Sequence, residues 1–86
     1  MDKIILNDGT KLEITGSIGL ELTFKKEITM NYLEEVLANE NLKHVEFAKS
    51  NEDVYGKFNN LELISLSKNM RTKQITAVIQ KKNEIL

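Results

Sequence analysis

Eighty-six residues, 41% hydrophobic and 29% charged, suit one soluble domain with a single core. The absence of cysteine excludes disulfides and thiolate chemistry, and a single histidine leaves too little material for a histidine zinc site or a histidine-based catalytic pair. With 12 Lys+Arg against 13 Asp+Glu, the net charge of −1 gives the chain as a whole no attraction for nucleic acid or an anionic membrane.

Of the basic residues 11 are lysine, and Asn and Ile occur nine times each against three Ala, a bias that points to an AT-rich coding source. The N-terminal apolar run, Ile4-Ile5-Leu6, is far short of the roughly 18 residues of a membrane helix, so neither signal peptide nor anchor is expected and the chain should stay in the cytoplasm. No proline and only four glycines argue against a linker. The chain reads as one domain, 1–86, with 81–86 expected to be a frayed tail.

The first turn signal is Asn7-Asp8-Gly9. A three-residue loop with Gly9 at positive φ pairs Leu6 with Thr10 and Ile4 with Leu12, and so puts Ile4, Leu6, Leu12 and Ile14 on one face. A two-residue loop would scatter them. After a bend at Gly16-Ser17, Ile18 to Lys25 alternates strictly, with Ile18, Leu20, Leu22 and Phe24 inward, which predicts a half-buried strand. The period then changes. Met30, Leu33, Val36 and Leu37 recur at helical spacing behind Thr29, an N-cap residue, which predicts one short helix over Met30 to Ala38, ended by Asn39-Glu40-Asn41.

The second half reads as a meander. A turn at Ser50-Asn51-Glu52-Asp53 pairs Lys49 with Val54, Phe47 with Gly56 and Val45 with Phe58. A second turn at Asn59-Asn60 pairs Phe58 with Leu61, Gly56 with Leu63 and Lys57 with Glu62. A last strand, Lys73 to Gln80, alternates Ile75, Ala77 and Ile79 with Gln74, Thr76 and Val78. The fold class expected is therefore α+β, predominantly antiparallel β: an N-terminal hairpin plus a strand, one short helix and a C-terminal β-meander. About seven strands in all would fold into a sandwich or small barrel.

No motif carries catalytic chemistry. Gly16-Ser17-Ile18-Gly19 precedes a strand rather than a helix and lacks the Gly-Lys-Ser/Thr of a phosphate loop. Glu34 and Glu35, adjacent on a helix, diverge by about 100° instead of converging on one atom. His44 falls on the outward face of its strand beside Glu46 and cannot complete a zinc shell. Asn51-Glu52-Asp53 lacks the ligand alternation and central Gly of a calcium loop. No catalytic residue, metal site or cofactor is assigned, and a small-molecule ligand is left open.

The pattern does point to contact with protein. Residues 1–66 hold 7 basic and 12 acidic groups, net −5, whereas 67–86 hold 5 basic and 1 acidic, net +4. The basic end suits phosphate or an acidic partner, its lack of an aromatic residue for stacking weighs against nucleic acid, and the charge polarity suits head-to-tail or heterologous protein contacts equally well. Ile5, Ile64, Leu66, Val78 and Tyr55 fall on the faces opposite the expected core. The candidate interaction residues are Tyr55, Ile64, Leu66, Lys68, Arg71 and Lys73, with a protein partner or a second copy as the expected occupant.

One resemblance rests on an opening Ile4-Ile5-Leu6-Asn7-Asp8-Gly9-Thr10, an alternating strand ending in Phe24, a brief Met-Leu helix, and the strands Leu42 to Phe47, Val54-Tyr55-Gly56-Lys57-Phe58 and Asn60-Leu61-Glu62-Leu63. This order is similar to that of small, mostly uncharacterised proteins encoded by phages and prophages of Gram-positive bacteria, often beside tail or virion genes. The resemblance implies a non-enzymatic binding or assembly role in the host cytoplasm or the virion. Its alternative is a phage inhibitor that blocks a host defence protein or sequesters its signal. It carries over no functional residues.

Overall fold

The computed structural model describes residues 2–82. Its strands are β1 (Asp2–Ile5), β2 (Lys11–Ile18), β3 (Glu21–Phe24), β4 (His44–Ala48), β5 (Val54–Asn59), β6 (Leu61–Lys68) and β7 (Ile75–Lys81), with helix α1 (Met30–Val36) and a 3₁₀ turn (Asn39–Leu42) between β3 and β4. They form one seven-stranded antiparallel sheet in the order β5-β4-β1-β2-β3-β7-β6. The class is α+β and mostly β, as expected. The sheet is not closed into a barrel, nor split into the two sheets of a sandwich.

The first hairpin follows its side-chain pattern. Ile4 faces Leu12, the Leu6 N–H donates to the Thr10 carbonyl at 2.8 Å, and the Gly9 N–H donates to the Leu6 carbonyl at 2.9 Å with Gly9 at φ +90°. Asp8 accepts from the Thr10 N–H at 3.0 Å, which holds its carboxyl below the usual carboxylate range.

The next turn lies three residues later than the sequence suggests. β2 runs through Gly16-Ser17 to Ile18, which faces Glu21 across a two-residue turn of Gly19 and Leu20. Gly19, at φ +60°, supplies the positive φ that a type II′ turn needs at its first position. Gly16 instead sits at a register slip between Ile14 and Gly16, where Thr15 is the extra residue of a bulge. Both glycines are turn-competent, and one was spent bending the strand. Ile18, expected inside, is therefore 83% exposed at the hairpin tip.

Thr29 caps α1 by accepting from the Tyr32 N–H at 3.2 Å. The helix ends at Val36, whose carbonyl accepts from the Asn41 side-chain amide at 2.8 Å, and the chain goes on into the 3₁₀ turn. Leu33, Leu37 and Leu42 bury themselves from this segment against the sheet. The Asn41 carbonyl accepts from the Asn7 N–H at 2.9 Å and ties the turn to the first hairpin.

The β4–β5 hairpin keeps the expected pairs Val45 with Phe58 and Phe47 with Gly56, but a slip leaves Ala48, not Lys49, opposite Val54, with Tyr55 as the extra residue. The expected β5–β6 hairpin does not exist. A type I′ or II′ turn at Asn59-Asn60 needs positive φ at Asn59; only Asn60 has it, at +55°. Lys57 accordingly lies 3.7 Å from Glu46, and Glu62 accepts from Gln80 at 2.9 Å.

Asn60 is thus the single residue between the two opposite edges of the sheet. In an antiparallel sheet of seven strands the edges run in the same direction, so when flat the end of β5 and the start of β6 lie at opposite corners. One intervening residue spans about 7 Å between flanking Cα atoms. Only coiling of the sheet onto itself brings those corners together. The Asn60 N–H donates to the Lys43 carbonyl at 2.9 Å, just ahead of β4, and its carbonyl accepts from the Lys82 N–H at 2.9 Å, just past β7. Of the segment 81–86, Lys81 lies at the end of β7 and Lys82 at this corner, and 83–86 lie outside the described residues.

The coil encloses one core. Ile4, Leu12, Ile14, Val45 and Phe47 come from one arm, and Leu22, Phe24, Leu61, Ile75 and Ile79 from the other. Among the described residues no polar or charged side chain is buried. A slip between Leu63 and Ser65 turns Leu66 opposite Ala77 and against the core, so Leu66 is not on the far face as expected. Asn60→Val should be about 1–2 kcal/mol less stable than Asn60→Gly, because both lose the asparagine side chain and only the β-branched residue resists the positive φ at this position. Urea unfolding of the two variants measures the difference.

Candidate interaction site

Two of the chain's aromatic residues lie on β5 and a third on the neighbouring β4. Phe47 meets Phe58 edge to face, with ring centroids 5.6 Å apart, and meets Tyr55 at 6.5 Å with the planes tilted by 39°. Gly56 lies between them. A Cβ there would stand 3.6 Å from the Phe58 ring and 3.8 Å from the Phe47 Cβ, so the missing side chain leaves a gap among the three rings. Opposite stands the tip of the β2–β3 hairpin. Ser17 and Gly19 complete a hollow of about 210 Å³ with Phe47, Tyr55, Gly56 and Phe58.

The bulges build this hollow. The slip in β5 inserts Tyr55 as an extra residue, so that its ring comes beside Phe47 and its hydroxyl donates to the Asp2 carboxylate at 2.7 Å. That bond, helped by slight desolvation and the negative charge of Asp2, raises the Tyr55 phenol above its ordinary value. β2 continues past its last pair with β1, Ile14 with Asp2, and a second hollow of about 190 Å³ opens among Asp2, Ile14, Thr15, Gly16 and Ser17. Ser17 lines both.

The remaining candidates are elsewhere. Ile64 stands half exposed on β6, and Lys68 closes that strand. Arg71 and Lys73 are exposed in the connection to β7, a turn built by Asn69, whose side-chain oxygen accepts from the N–H groups of Arg71 at 2.8 Å and Thr72 at 3.1 Å. Lys81 and Lys82 lie at the other end of β7, roughly 20 Å away at ~3.4 Å per residue. The basic run is one block in sequence and two in space. Tyr55 and the β6–β7 residues belong to opposite edges and do not converge.

The charged clusters are exposed ties between strands. His44 Nδ1 lies 2.7 Å from the Asn59 side-chain oxygen, and Glu46 sits between His44 and Lys57 at 3.8 and 3.7 Å. Glu52 joins the β4–β5 loop to Lys11 and, more weakly, to Lys3, and these two ammonium groups hold its carboxyl below the ordinary value. A depressed carboxylate stabilises the fold above its unfolded value and loses that contribution as pH falls through the folded one. Among the described residues no three His, Asp or Glu side chains gather as metal ligands would, and no helix is long and apolar enough to cross a membrane.

Of the residues in and beside the two hollows, the sequence singles out Tyr55 and not Asp2, Ser17 or Gly56. The available signal was Gly56 itself, because a glycine inside a strand marks a bulge or a close approach. The chain matches no protein-family model, no curated protein and no solved structure.

The Tyr55–Asp2 bond gives a direct test. A raised phenol keeps its stabilising contribution below the unfolded value and loses it as pH rises through the folded one. Alkaline absorbance titration should show a late phenolate transition that Tyr55→Phe removes and Asp2→Asn shifts to lower pH.

Proposed function

We propose that this protein acts by binding another protein and not by catalysis, and that the partner adds an extended segment to the β5 edge. The observation that supports this reading is an edge strand paired on one side only, with an aromatic-lined hollow beside it. Addition of a strand draws affinity from main-chain hydrogen bonds and specificity from side-chain pockets flanking the edge. β5 offers both. The β6 edge carries a bulge at its centre, near Ile64, a feature that discourages pairing, whereas β5 has its bulge near its start and is regular from Gly56 to Asn59.

The phage and prophage resemblance sets the context: a virion or tail component is the partner, and assembly is the role. The experiment is affinity capture from induced or infected cells with the full chain as bait. A virion protein should be recovered, Tyr55→Glu on β5 should abolish the capture, and Ile64→Glu on β6 should leave it intact. Recovery of a host defence protein through the same edge would replace assembly with inhibition. A strict monomer in sedimentation that captures no virion protein would overturn the reading.

A further inference from the structure

Phe47, Tyr55 and Phe58 give the hollow beside β5 an apolar wall, and the Tyr55 hydroxyl is bonded to the carboxylate of Asp2, which lines the adjoining hollow that shares Ser17. One Asp2 oxygen accepts from Tyr55, and a carboxylate has acceptor capacity for more. The lysines of neighbouring strands are engaged with other acids: Lys3 with Glu52, and Lys57 with Glu46. Three aromatic rings around a gap left by glycine, with an anion at the Tyr55 hydroxyl, are complementary to a cation on a flexible apolar stem. The rings attract positive charge through their faces, the stem covers apolar surface, and the carboxylate accepts the ammonium protons.

Building on the reading of β5 as a strand acceptor, we propose that this hollow takes an aliphatic ammonium group, the side chain of a lysine on the segment that pairs with β5. Strand addition fits this placement, because alternate side chains of an added strand point to the core side of the sheet, where Gly56 and Phe58 lie opposite Phe47 and Val45. Gly56 is required by volume and not by conformation, since its φ is not positive.

The test is an NMR titration of the full chain with n-butylammonium, with n-butanol as the neutral match. Butylammonium should shift the amides of Ser17, Tyr55 and Gly56 and bind about 10-fold more tightly than butanol, a ratio typical of a partly desolvated cation–π and carboxylate contact. Asp2→Asn should reduce that preference to about twofold or less. Gly56→Leu should abolish binding of both probes; Gly56→Ala, whose methyl group has ordinary contact distances, is the fallback if the leucine variant does not fold. Equal binding of the two probes, shifts confined to another surface, or a preference that survives Asp2→Asn would each overturn the proposal. If butylammonium fails to bind while capture through β5 persists, the lysine assignment falls and the edge reading stands. If butylammonium binds as expected but capture fails, the edge reading falls.

Discussion

The whole architecture depends on the connection through Asn60. A chain that reaches one edge of a seven-stranded antiparallel sheet and starts the opposite edge one residue later has to coil that sheet until its corners meet. The two backbone bonds of Asn60, to Lys43 and from Lys82, tie the arms at that point, and its left-handed backbone turns the chain between them. One core follows, because the coil puts the inner faces of all seven strands against each other and against Leu33, Leu37 and Leu42.

Coiling costs regular pairing, and the register slips are where it is relieved. β2 slips at Thr15, β5 at Tyr55 and β6 at Ile64. A bulge bends a strand and increases its twist. The same distortions re-aim side chains: Leu66 turns inward, Ile18 is carried to an exposed tip, and Tyr55 comes beside Phe47. With no polar side chain buried among the described residues, the polar side chains lie at the surface and along the two sheet edges, β5 and β6. The hollow at β5 is therefore a product of the coil, formed where a bent hairpin tip approaches the strand that the coil leaves open.

Much of this was legible in the sequence, for local reasons. Asn7-Asp8-Gly9 and the faces of Ile4, Leu6, Leu12 and Ile14 determined a hairpin register, and Thr29 with the spacing of Leu33 and Leu37 determined a helix. Those signals act within a few residues. The illegible part needed long-range competition. Asn59-Asn60 is compatible with a tight hairpin, and only the preference of β6 for β7 and of β5 for β4 decides against it. Gly16 and Gly19 offer two turns where the fold uses one. Of the residues around the two hollows, Tyr55 was visible as an apolar residue out of phase, but Asp2 and Ser17 become its neighbours only after strands distant in sequence are brought together.

β5 and β6 are opposite edges joined at a corner and not partners in a hairpin. Nuclear Overhauser spectroscopy on the full chain tests this most directly. The coiled sheet requires close contacts between Lys82 and Asn60 and between Leu22 and Ala77, with none between Gly56 and Leu63. Cross-strand contacts between Lys57 and Glu62 and between Gly56 and Leu63 would restore the meander and rule out the coiled sheet.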